Sequence, residues 1–387
     1  MSINKKAVAV VLVSFIVMSF VDLVGVATDY VKSDLNLSDG IVQFISSAAF
    51  LWFFVFSVPT GLMQARFGKR NVLSAGILLS AVGLILPFLS YGFTSVLIGF
   101  SFLGIGNAII QVSANPLLIS VSGSEKAASW MSLSQFIKSV GSMAAPFLAG
   151  FLASQVGDWK WTFVVFAVVS VLSVVLLYSV NLKEDKSGQL SNTTIGSCLN
   201  LLGNKYVALM VLGIFLIVGI DVGINAVSGQ FMIEKFQMKP DVAAKGRSLY
   251  FFGKLIGCFL GAVLLTKFKP RTFLNLTSTL LCAALLVFAF YPVAGVSVAL
   301  LAVIGFFGAN IFPLIFTLAV GNLPEKSNEI SGLMMMAISG GAVIPPVMGF
   351  IAGKFNYTIS MLFLLACAAV IVLIGLTNKS QEQEVTA

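Results

Sequence analysis

Histidine is absent from the 387-residue chain, which excludes imidazole acid–base chemistry and His-ligated metal sites. Charge is scarce as well: Asp, Glu, Lys and Arg make up 10% of the residues, where a soluble globular chain carries about 25%. The four cysteines, Cys198, Cys258, Cys282 and Cys367, are scattered with no CxxC among them, so neither a metal site nor a disulfide framework is expected. Ten-residue segments of alternating polarity, the mark of membrane barrel strands, are missing too.

What is present is apolar. Hydrophobic residues account for 58% of the chain and the mean hydropathy is +1.02. They fall into twelve runs of helix length, at 7–28, 41–64, 70–91, 94–119, 128–154, 159–181, 206–230, 246–268, 273–294, 296–321, 329–354 and 357–378. Each is long enough to cross a bilayer core of about 30 Å at about 1.5 Å per residue. The first is too long for a signal peptide and is followed by no small-residue cleavage site.

The net charge of +8 does not point to nucleic acid, because the basic residues sit in short loops between apolar runs. With both termini inside, 14 of the 23 lysines and arginines are cytoplasmic, seven are outside, and Lys138 and Lys254 lie within spans. Lys235, Lys239, Lys245 and Arg247, in the loop expected after the seventh run, go against this trend. The positive-inside rule still favours cytoplasmic termini, in a cell (inner) membrane.

A polar stretch from Asn181 to Tyr206 divides the chain near its midpoint. It is read as a cytoplasmic linker, 182–205, between two six-helix bundles at 1–181 and 206–387. The halves repeat. "VDLVGVA" from Val21 pairs with "IDVGINA" from Ile220, "NPLLISV" from Asn115 with "FPLIFTL" from Phe312, and "GSMAAPFLAGFLA" from Gly141 with "GAVIPPVMGFIAG" from Gly341. Each pair occupies the same span of its half. Such duplication marks transporters built from two bundles around a midplane site.

The loop "GLMQARFGKR" from Gly61 to Arg70 resembles the GxxxDRxGRR signature of the major facilitator superfamily, with Ala65 in place of an acid. It is not a Walker A motif, since the spacing differs and Arg70 replaces the Mg²⁺-binding Ser or Thr. Together with "QVSANPLLISVSG", "FPLIFTLAVGNL" and "ISGGAVIPPVMGF", the chain resembles the fucose:proton symporter family of monosaccharide porters. In residue detail the resemblance departs from the family pattern. Gln111 stands where that family has an acid in Glu-x-x-x-Asn-Pro, Asn115 and Pro116 match, and Gln135 and Lys138 stand for its sugar-contacting Gln-x-x-Asn. In span one, Asp22 takes the place of the family Asn and Gly25 that of its Asp.

Four ionisable residues lie well inside spans: Asp22, Lys138, Asp221 and Lys254. Charge at mid-membrane is costly and usually faces a cavity or ion pathway. Asp22, Lys138 and Asp221 are therefore candidates for cation coupling, with Asp22 and Lys138 as a switchable pair; the plain alternative pairs Asp22 with Lys138 and Asp221 with Lys254 for packing alone. Sodium, held by Asp22, Gln111 and backbone carbonyls, is the alternative to a proton. Candidate sugar contacts are Gln111, Asn115, Gln135, Lys138, Asn225 and Asn310, because amides offer donors and acceptors to hydroxyls, with Trp52 and Phe136 as flat faces.

Sequence thus predicts an all-α integral membrane protein of twelve transmembrane helices in two pseudo-symmetric six-helix bundles. The resemblance implies the major facilitator fold and cation-coupled, proton-first symport of a monosaccharide, with an amino or acidic sugar as a further alternative. No enzymatic activity and no cofactor are expected, and a monomer in the bilayer is the expected functional form.

Overall fold

A computed structural model describes residues 5–122, 127–180, 200–265, 268–291, 293–323 and 326–377. The expected linker lies mostly outside these residues. Helices account for nearly everything described. Span one is α1 (Lys5–Met18), a 3₁₀ turn (Ser19–Leu23) and α2 (Val24–Leu35). The short α3 (Asp39–Val42) leads into α4 (Phe44–Phe67), followed by α5 (Lys69–Leu89), α6 (Phe93–Ser122), α7 (Ala127–Gln155) and α8 (Trp161–Ser179).

The second half contains α9 (Lys205–Phe236), α10 (Pro240–Leu264), α11 (Pro270–Phe290), α12 (Ala294–Gly308) with α13 (Ile311–Asn322), α14 (Ser327–Met336) with α15 (Gly340–Lys354), and α16 (Tyr357–Thr377). Among the described residues, eleven helices are long and apolar enough to cross a membrane. α10, at 25 residues, is long enough to be the twelfth span. The expected spans are right in number and short at some ends: the first was expected to stop at 28 and runs to Leu35.

Local chemistry sets several boundaries. Asn204 caps α9, its Oδ1 accepting from the amides of Tyr206 at 2.9 Å and Val207 at 3.3 Å. Prolines open α10 and α11, where a missing N–H costs no helix bond. Spans one and seven both end on a left-handed residue, Asn36 at φ 50° and Gln237 at φ 54°, a common helix stop that the two halves share.

Buried apolar side chains form two clusters. One is drawn mainly from α1–α8 and the other from residues 201–371. Where α10 crosses α12, glycines replace side chains: a Cβ on Gly253 would lie 1.9 Å from the Ala302 carbonyl oxygen, and one on Gly257 would lie 2.4 Å from that of Phe306. Backbones this close give the van der Waals contact that holds membrane helices together. The halves meet along α2–α9, α4–α15 and α7–α10.

At the end of the bundle where α2 finishes, the first-half loops are tied together. Tyr91 Oη donates to Asp34 Oδ2 at 2.7 Å and Trp159 Nε1 donates to the same oxygen at 3.1 Å. Burial, then the Asp34 carboxylate, pushes the Tyr91 phenol above its ordinary pKa, so it remains the donor in this bond.

Candidate functional site

Asp22 lies in the 3₁₀ turn that interrupts span one. A 3₁₀ stretch inside a long helix often marks a hinge, and neighbouring spans grip this one on several sides. Asn107 of α6 donates to the Met18 carbonyl at 2.7 Å, and Gln111, one turn on, donates to Asn107 Oδ1 at 3.0 Å. From α7, the Ser142 hydroxyl lies 2.5 Å from Asp22 Oδ2 and 3.1 Å from the Lys138 carbonyl. From α9, Asn225 Nδ2 donates to the Asp22 carbonyl at 2.8 Å.

Asp221 is the repeat partner of Asp22 and its surroundings differ. Lys254 Nζ is 2.5 Å from Asp221 Oδ2, and the Tyr250 hydroxyl donates to the other carboxylate oxygen. Their side chains remain 24% (Lys254) and 29% (Asp221) exposed, so this mid-span pair is not sealed in protein. Asp22 stands in the field of Lys138, Lys254 and Asp221. The four intramembrane charges therefore form one cluster contributed by both halves.

Of the two pairings considered from sequence, the structure makes only the second: Lys138 forms no ion pair with Asp22 among the described residues. Gln111, Gln135, Phe136 and Trp52 are half-buried, and the indole N–H of Trp52 finds no acceptor among the described residues. The side chain of Asn115 lies outside the described set. Asn225 and Asn310 depart from the expected cavity-facing placement. Asn225 is 2% exposed and bonded across the halves. Asn310 is 6% exposed and donates to the Gly257 carbonyl at 2.7 Å, a helix–helix bond.

Arg247 also departs from expectation. Counted with the outer loop although it falls at the start of the run 246–268, it sits inside α10 and is paired with Asp29 of α2; the two side chains are 1% and 7% exposed. Nearby, Lys32 pairs with Asp39, and the Tyr357 hydroxyl lies 2.6 Å from Asp39 Oδ1 and 2.5 Å from Gln230 Oε1. Together these residues close one end of the seam between the halves. Helical spacing was the missed signal for several partners: Asn107/Gln111, Lys138/Ser142 and Tyr250/Lys254 are each four apart, hence on one face.

Comparison with known proteins agrees with this architecture. A 27% identical glucose/galactose transporter of Brucella abortus aligns over 360 residues, 87% of this chain and 84% of that protein. The L-fucose-proton symporter of Escherichia coli is 24% identical over 82% of this chain and 79% of its own. Among solved structures, the E. coli fucose:proton symporter superposes with a TM-score of 0.72 at 19% identity, covering 98% of this chain and 100% of that one. A D-xylose-proton symporter gives 0.73 at 16% identity, with 97% of each chain covered. The sequence profile of the Major Facilitator Superfamily matches residues 10–345 and again 210–385. With that match spanning most of its length, the chain belongs to the major facilitator superfamily, a multi-pass membrane transport protein and not an enzyme.

Proposed function

We propose that the protein takes up a monosaccharide in symport with a cation, a proton before sodium, by alternating access between its halves, 1–181 and 206–387. Relatives named as a glucose/galactose transporter and an L-fucose-proton symporter supply the substrate class. With the termini cytoplasmic, the Asp29–Arg247 end is the outer end. The structure then represents an outward-closed state, and the midplane charges meet water from the cytoplasm.

The observation that carries this reading is the state of Asp22. Among the described residues its carboxylate is met by a hydroxyl and by no ion-pair partner, so it can gain or lose a proton without breaking an ion pair seen there. Asp221, tied to Lys254 and Tyr250, instead supplies a fixed counter-charge in the second half. Gln111, Gln135 and Lys138 offer polar groups to the sugar, and Trp52 offers a flat face and a spare donor.

The test is uptake of radiolabelled fucose, glucose, galactose, mannose and N-acetylglucosamine into proteoliposomes, under a pH gradient alone and a Na⁺ gradient alone. Accumulation under the pH gradient is expected. Accumulation under Na⁺ alone would instead make Asp22, with Gln111, a sodium ligand. If no sugar of the panel accumulates, the monosaccharide reading fails and an acidic sugar facing Lys138 becomes the next substrate to try.

A further inference from the structure

We propose that Asn225 and Arg247 are positioning residues that tie the outer gate to the coupling carboxylate, through the chain Asp29–Arg247–Asn225–Asp22. This rests on the reading of Asp22 given above. Arg247 holds two acceptors at once. One guanidinium nitrogen, Nη1, pairs with Asp29 of the first half, while Nε donates to the Asn225 backbone carbonyl at 2.5 Å. Asn225 then reaches back across the seam, its Nδ2 donating to the Asp22 carbonyl at 2.8 Å. The carboxylate of that same residue is held by Ser142 of α7. The bonds run unbroken from the gate to mid-span.

Two glycines make room for the chain. A Cβ on Gly229 would lie 2.1 Å from Arg247 Nη2 and 2.7 Å from Asp29 Oδ2. A Cβ on Gly25 would lie 2.3 Å from both the backbone and side-chain oxygens of Asn225. The chain of bonds therefore forms only because α9 lies directly on α2 at both points.

The arrangement is a switch and not a clamp. Asp29 Oδ1, Arg247 Nη2 and Asn225 Oδ1 are buried with no partner among the described residues. A buried ion pair gains stability only when its remaining donors and acceptors are filled, so the closed state is not locked. Water entering an open gate would satisfy these atoms. As α9 swings away, Asn225 leaves the Asp22 carbonyl and the 3₁₀ turn loses a cross-half bond. The groups facing Asp22, namely Lys138 and Ser142 from α7, Asp221 from α9 and Lys254 from α10, would then act on a carboxylate in a new position. A coupling ion can shift a gate only by binding one state better than the other, and this chain gives it the means.

The test has two readouts. Spin labels at Ser33→Cys and Glu234→Cys, exposed sites on either side of the outer end, report its width by double electron–electron resonance in liposomes. The native cysteines are replaced by serine and thermal unfolding checks the fold. Gly229→Ala should lengthen this distance, with Gly25→Ala as a second variant at an independent contact; an unchanged distance in both overturns the proposal. Neither distance measurement needs a sugar, so a wild-type protein that fails the uptake panel counts against the proposed function alone.

The second readout compares sugar counterflow with gradient-driven accumulation. Asn225→Ala should keep counterflow near wild type and cut accumulation at least about tenfold, a typical coupling magnitude. Arg247→Lys retains the charge opposite Asp29 and lacks a second, rigidly placed donor for the Asn225 carbonyl. Its labelled outer end should still close while accumulation falls. Full accumulation in Asn225→Ala, or equal loss of counterflow and accumulation, contradicts the proposal.

Discussion

The two intramembrane acids occupy repeat-related positions and face different chemistry, so their variants should separate. Replacing Lys254 with Met strands the Asp221 carboxylate beside a single phenol. Removing one partner of a fully buried pair costs about 3–5 kcal/mol. With Asp221 29% exposed, the expected loss is smaller, about 1–2 kcal/mol, in the range for an unsatisfied polar group. Lys138→Met breaks no ion pair among the described residues and should leave the thermal unfolding temperature close to wild type. Equal destabilisation by the two would show that Lys138 carries a structural load not evident in its contacts. All four charges were legible in the sequence because lysine and aspartate stand out in an apolar run. The Asp221–Lys254 pairing was legible too and is present; whether Asp22 meets Lys138 was not, since that depends on how the 3₁₀ turn and α7 approach each other. The amide roles were harder still: Asn225 and Asn310 have the same side chain as a sugar ligand, and only packing shows their bonds to helix backbones.

At the scale of elements, apolar run length located the spans well, because the bilayer imposes that length directly. Interruptions within spans escaped it, since the 3₁₀ turns at Ser19–Leu23 and Ala337–Ser339 leave no gap in hydrophobicity. The start of α10 was also missed, although Pro240 is a common first helical residue; the charges at Lys245 and Arg247 suggested a loop. Gly253, Gly257 and Gly261 form a GxxxGxxxG series that marks the face toward α12. Gly257→Leu should therefore destabilise the second half by about 1–3 kcal/mol through overpacking. Thermal unfolding in detergent reads this directly, and a neutral effect would mean that α10 and α12 are less closely packed than their backbones imply.

Across the whole molecule, the seam between the halves is held, at the end where α2 finishes and which the proposed orientation places outside, by Asp29–Arg247 and by the Lys32, Asp39, Tyr357 and Gln230 group. Internal repetition made the two-bundle plan readable. The seam was not, because it joins residues far apart in sequence. Arg247→Ala leaves Asp29 buried without its cation, so outward-open molecules should gain at the expense of closed ones. Faster labelling of a cysteine placed at Gln230 from the outside would register that shift, and unchanged labelling would remove Arg247 from the gate. The coupling role proposed for Asp22 is tested by sugar accumulation driven by a pH gradient in proteoliposomes of the wild type and of Asp22→Asn. Wild type should concentrate the sugar while Asp22→Asn exchanges it without concentrating it. Full concentrative uptake by Asp22→Asn would remove this carboxylate from the coupling.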